Sequence, residues 1–277
     1  MTQLAHATES HIILVEKVLY TAKAYAAGAK GRQSMTKLGG TITICCLLFG
    51  LLAPNSWAQN RPPILEQIAK TYGLDSFGQI EAIRYTWNGE VTGLFKAAHT
   101  WEWEPKTGKV SYEGKDKDGK PAKATYVQSQ INSAPANVKD EIAPAFVNDN
   151  YWLLFPLHAY WDTSATVTDK GMQKLPIGNG SAELVVVKYP AEAGGYTPGD
   201  TWDLYVGADK RVQQFVYHRS GPRKPSLVIA TWAGYKKAGP LLISTGHRGT
   251  ADGKPLHIFL TNVSVKLTGS DKWMNAQ

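Results

Sequence analysis

The sequence predicts a mainly β domain with a few helices (α+β), its strands antiparallel, over residues 59–277. Three observations predict it. Apolar and polar residues alternate with period two, most cleanly where Phe95, Ala97, His99, Trp101 and Trp103 oppose Lys96, Thr100, Glu102 and Glu104. Turn residues punctuate the alternating runs at short intervals, as at Asn88-Gly89, Pro105 to Gly108, Pro198-Gly199-Asp200 and Asp252-Gly253. Helical patterns do not alternate with the strands, so a parallel βαβ sheet is not expected.

The segment before this domain has a different character. Residues 35–58 contain the three parts of a secretory signal: Lys37, an apolar run from Thr41 to Ala53, and Ser56-Trp57-Ala58 with small residues at the −3 and −1 sites. The run is shorter than the roughly 20 residues that span a bilayer. Cleavage after Ala58 would make Gln59 the first mature residue, and the expected location is the periplasm. Residues 1–34 precede the signal and read as an extension or a mis-assigned start, with Met35 as the true one. An uncleaved anchor is an alternative, as is a lipoprotein, although Ile44 and Cys45 poorly suit lipidation at Cys46. Cys45 and Cys46 are the two cysteines of the chain, so the mature domain would carry no thiol.

Arg61-Pro62-Pro63 reads as a linker. Ile64, Leu65, Ile68 and Ala69 have helical spacing and Gly73 is a stop, which predicts a helix over 64–72. Ile83, Tyr85 and Trp87 then share one face of a strand, with Ala82, Arg84 and Thr86 on the other. Asn88-Gly89 signals a hairpin into a strand near 93–104. Strands follow at Val110 and Tyr112 and over 122–128. Asn137 as N-cap, with Asp140 and Glu141 in the first turn, predicts a helix near 137–150 that Pro144 shortens or kinks. An aromatic knot at 151–156 comes next. Strands return at 165–168, 182–189, 201–206, 211–219, 227–232, 241–247 and 257–265. The total is roughly ten consecutive strands in one domain, without internal repeats.

The net charge is +7, with five basic and two acidic residues in the first 58. The remaining excess is scattered, which argues against a nucleic-acid partner. Transient attraction to anionic headgroups is compatible with it. The phosphate-loop, dinucleotide, zinc-protease and nucleophile-elbow motifs do not occur. His99, His158, His218, His247 and His257 lack zinc-site spacing, so neither a metal nor a cofactor is expected. His99 lies on the aromatic face of its strand; it reads first as a partly buried, hydrogen-bonded histidine and second as an acid–base group. His218 and His247 read as solvated strand ends. Asp200 and Asp203 flank Trp202 but point to opposite faces, with Asp200 closing a turn. No residue is assigned as catalytic.

Eight of the nine tryptophans fall within residues 59–277. They read equally as core filling and as the lining of an apolar cavity. The run Asn148-Asp149-Asn150-Tyr151-Trp152-Leu153-Leu154-Phe155-Pro156 resembles one in exported bacterial proteins of the LolA/LolB-like type. The layout is similar around Trp101-Glu102-Trp103-Glu104-Pro105, at Thr197-Pro198-Gly199-Asp200 and at Asn262-Val263. This resemblance implies an incomplete antiparallel β-barrel, a strongly curved sheet lidded by helices around an apolar cavity. It also implies a non-enzymatic periplasmic binding or carrier protein for a lipid, an acyl chain or an acylated protein. Carriers of this type latch the lid with an arginine inside the barrel, for which Arg84 is the candidate. Trp101, Trp103, Tyr151, Trp152, Phe155 and Trp161 are the expected ligand-binding residues, and a monomer is expected. Two alternatives stay open: an envelope enzyme using a histidine–carboxylate pair, and an assembly factor that binds partners through strand edges.

Overall fold

The computed structural model describes residues 61–191, 198–221 and 226–277. The leader, the expected terminus at Gln59 and Thr197 of one expected turn lie outside these residues. Helix α1, Pro63–Thr71, starts on a proline and buries Ile64, Leu65, Ile68 and Ala69 along one face. Gly73 ends it at φ 101°, where an added Cβ would meet Pro240 O at 2.7 Å, so glycine is required there.

A 3-10 turn, Leu74–Gln79, leads into thirteen strands among the described residues. The first four are β1 (Ile80–Val91), β2 (Phe95–Glu104), β3 (Lys109–Lys115) and β4 (Pro121–Val127). The rest are β5 (Thr166–Lys174), β6 (Ser181–Lys188), β7 (Thr201–Val206), β8 (Val212–His218), β9 (Leu227–Thr231), β10 (Ala233–Ala238), β11 (Leu241–Ala251), β12 (Lys254–Leu267) and β13 (Trp273–Asn275). Their order is β4-β3-β2-β1-β12-β11-β9-β8-β7-β6-β5, with β10 beside β11 and β13 beside β12. All the pairs are antiparallel. Two meanders thus join where β12 meets β1. The end strands β4 and β5 do not pair with each other, so the sheet is open and curved and not a closed barrel.

The chain from β4 to β5 crosses the concave face. It holds a 3-10 turn (Gln128–Ser133), a π turn (Val138–Ile142) and helix α2 (Ala143–Trp161). Thirteen of the 19 residues of α2 are buried. A helix that is apolar all round belongs in an interior, and α2 occupies the core of the curved sheet. Its path bends at Leu154 (φ −129°, ψ 19°), ahead of Pro156.

Three sequence expectations change. Asn88-Gly89 is not a hairpin turn. Trp87 lays its indole over Gly89, where a Cβ would come within 2.1 Å of the ring, so the glycine makes room and β1 runs on to Val91. The helix expected over 137–150 takes in the aromatic knot and extends to Trp161, with the wider π turn Val138–Ile142 directly ahead of Pro144. Asn137 is itself helical (φ −61°, ψ −34°) and makes no capping bond. The edge strand β5 carries a register shift between Asp169 and Met172, with Gly171 at φ 65°. Such irregularity and charge discourage strand addition at this edge.

Candidate functional site

Helix α2 presents Phe146, Asp149, Trp152 and Phe155 to the sheet at three-residue spacing. Phe146 packs edge-on against Trp101 and Trp103 of β2, with ring centroids 5.4 and 5.8 Å away. One turn later, Asp149 is 1% exposed, and its Oδ2 accepts from His99 Nδ1 (2.7 Å) and Trp101 Nε1 (2.8 Å). Asn148 Nδ2 donates to Oδ1 at 3.0 Å. His99 also stacks on Trp87 at 5.4 Å and 13°. A buried carboxylate therefore ties α2 to β2 with its charge satisfied by three donors. The expectation of a partly buried, hydrogen-bonded His99 is met. Its partner, 50 residues away in sequence, carried no sequence signal beyond its place in the Asn148 to Pro156 run.

Asp149→Ala is expected to cost about 3 kcal/mol, because it orphans the Trp101 N–H and the His99 N–H together. Asp149→Asn keeps an acceptor and should cost about 1 kcal/mol. Urea unfolding of the two variants measures both values, and equal losses would mean that the bonds to Oδ2 contribute little.

Beyond Asp149 the rings gather around Trp152. Its indole lies 6.0 Å from Trp202 of β7, 5.5 Å from Phe215 of β8, 6.5 Å from Trp232 between β9 and β10, and 5.6 Å from His247 of β11. Phe155 stacks on Trp202 at 4.2 Å. His247 is 0% exposed, which corrects the reading of a solvated strand end. The strand was expected to stop at His247 but continues to Ala251, so His247 takes an inward position in step with Leu241, Ile243 and Ala251. Burial pushes its pKa down to about 3, leaving the imidazole neutral.

The six expected ligand residues belong to one core and are joined through a chain of ring contacts, not gathered around one centre. Trp101 and Trp103 meet Phe146. Trp152 and Phe155 sit in the ring cluster with Trp202. Trp161 packs on Phe77 at 4.6 Å, as Trp103 does at 6.2 Å. Tyr151 stacks on His158 at 4.4 Å, and His158 Nε2 meets Asn150 Oδ1 at 2.7 Å. Desolvation lowers the His158 pKa to about 3.

Arg84 does not enter the interior. It sits on the outer face with Thr86, as the alternation of β1 requires, where it donates to Glu102 at 2.7 Å and lies 3.9 Å over the ring of Trp273. The arginine that grips the helix is Arg61, from the segment read as a linker. Its guanidinium donates to the carbonyls of Tyr160 (2.5 Å), Ala159 (2.6 Å) and Asp162 (3.0 Å), satisfying the C-terminal end of α2. His218 pairs with Asp203 at 2.9 Å on the exposed outer face, and His257 stacks on Phe259 at 4.6 Å. Asp200 is fully buried and binds Tyr217 and the Ser220 amide, so it fixes a turn as expected.

No family model matches the chain, and no curated protein matches it. Among solved structures, the crystal structure of a DUF1329 family protein from Desulfovibrio piger is similar to it. The likeness has a TM-score of 0.41 at 10% identity, over 75% of this chain and 94% of that one.

Proposed function

We propose that the chain is an exported, periplasmic binding or carrier protein for an apolar, lipid-like ligand, processed after Ala58 and working without chemistry of its own. One observation carries this reading: the inner face of an open sheet is rich in aromatic residues, and among the described residues the bent helix α2 lies against them, with α1 packed beside it. Such a cover can exchange for a ligand. An acyl chain gains about 0.8 kcal/mol for each CH₂ it buries, so a chain of ordinary length can offset much of the apolar contact that α2 gives up. The resemblance of the Asn148 to Pro156 run to LolA/LolB-like carriers agrees with it, since that run is the sheet-facing stretch of α2. An acylated protein is the partner that resemblance suggests.

The experiment is native mass spectrometry of protein purified from the periplasm, followed by lipid extraction and by titration with 1-N-phenylnaphthylamine. A co-purifying lipid and saturable probe uptake are the expected results. An empty protein that takes up neither probe nor lipid would refute the reading. The same spectrum tests processing, which requires a mass beginning at Gln59.

A second reading is favoured by the 2.7 Å contact between His99 and Asp149. There His99 is a general base oriented by the buried carboxylate, and the protein is an envelope hydrolase. Turnover of p-nitrophenyl esters that His99→Asn abolishes would support it; turnover that survives the substitution would exclude it.

A further inference from the structure

Four buried polar atoms without a hydrogen-bond partner among the described residues lie around one ring. Among the described residues neither ring nitrogen of His247 finds a hydrogen-bond partner, and neither do the indole Nε1 atoms of Trp202 and Trp232. Backbone groups of Thr231 and Trp152 approach the imidazole without completing a bond of normal geometry. All three side chains are nine-tenths buried or more, at 0%, 4% and 2% exposure. Their rings surround the indole of Trp152, with Trp232 and His247 only 4.2 Å apart. More than nine in ten buried polar groups have partners, and each one left without costs roughly 1–3 kcal/mol. Packing alone does not require four such atoms around one ring, because phenylalanines would fill similar volume without that cost.

The chemistry of the walls limits what could satisfy them. The groups facing His247 are Trp152 from α2 and Trp232 from the β9–β10 junction, with Trp202 and Phe215 completing the enclosure. The titratable group whose charge reaches it is His257, itself depressed below its usual range by burial and by Arg248. Among the described residues no cation stands in the enclosure to balance an anion, so a carboxylate would enter at a large desolvation cost. Two indole N–H groups and one imidazole N–H are donors suited to an uncharged oxygen.

We infer that this enclosure is the recognition end of the ligand site and takes a neutral oxygen acceptor, an ester carbonyl, carried on an apolar body, with Trp152 as the internal occupant that the ligand replaces. The inference rests on the carrier reading and adds to it a ligand class, neutral acyl esters, and a specificity-determining residue, His247.

The test is displacement of 1-N-phenylnaphthylamine from the full chain at about pH 7.5 by methyl dodecanoate, tetradecane and dodecanoate. The ester should bind about tenfold more tightly than either of the others. His247→Phe should bring the ester down to the alkane's affinity. Trp232→Phe, which keeps a ring but loses the N–H, should narrow the preference. In the unsubstituted protein the indole N–H resonances of Trp202 and Trp232 should move with the ester and stay still with the alkane, a readout that does not depend on how the variants fold. Equal affinity for ester and alkane, with both resonances unmoved, overturns the inference and leaves an ordered water as the partner of these donors. Binding of none of the three molecules or the probe would instead remove the carrier reading, and this inference with it.

Discussion

Taking the protein from about pH 7 to about pH 4.5 is expected to remove about 3–5 kcal/mol of folding stability, read as a fall in the urea midpoint. The cause is two histidines held neutral by burial, His247 and His158, each with its pKa near 3 in the folded state. An unfolded chain protonates them near pH 6.5. Between those values the unfolded state binds more protons than the folded one. Stability therefore rises with pH across this window and is lost as the pH falls below about 6.5. Each histidine can contribute a slope of up to about 1.4 kcal/mol per pH unit. His247 is enclosed by rings and supplies the larger share. His158 is less completely covered and keeps its bond to Asn150, so solvent screening reduces its part. Above about pH 6.5 neither contributes a slope. His247→Phe should flatten the acid limb, whereas a variant as acid-sensitive as the parent would place the effect in the carboxylates.

Trp152→Ala is expected to cost about 3–5 kcal/mol, the usual loss for emptying a large aromatic site in a core. The side chain is 8% exposed and touches rings from β7, β8 and β11 as well as the β9–β10 junction, so collapse around the gap would have to move several strands at once. A rigid sheet resists that, and the vacated volume should persist. Added indole should then raise the melting temperature of the variant and leave that of the parent unchanged. A variant destabilised by the expected amount but indifferent to indole would mean that the enclosure had closed.

Much of the β architecture was legible in the sequence because half-buried antiparallel strands write their burial as alternation. Residues Ile83, Tyr85 and Trp87 pair across to Trp103, Trp101 and His99 on the expected face. Strands β10 and β13 were missed: the run Ala233 to Ala238 is mostly exposed and buries little, so no apolar period marks it. The parity of β12 changes at Asn262, in the left-handed region at φ 54°, where a bulge switches the inward side from Leu260 to Val263. That switch reads as noise unless the partner strand is known. The helix was cut short because two prolines fall in it, one at its start and one at its bend. In the candidate site, the aromatic residues were legible and their grouping was not. Asp149 and His247 matter because of what faces them, and those contacts join residues far apart in sequence. Arg61 was hidden for the same reason, since a linker does not announce which carbonyls it will bind.

The seam between β1 and β12 also governs the order in which the chain can finish folding. Each meander consists of pairings between strands near in sequence, with β10 off the path between β9 and β11, and these form by short-range search. The seam instead joins Asn88 to Phe259, 171 residues apart. Loop closure over such a distance makes it a late, high-contact-order event. A chain emerging N-terminus first therefore holds an unsealed β1 until nearly all of its length has arrived. The two meanders become a single cooperative body only once that seam has closed.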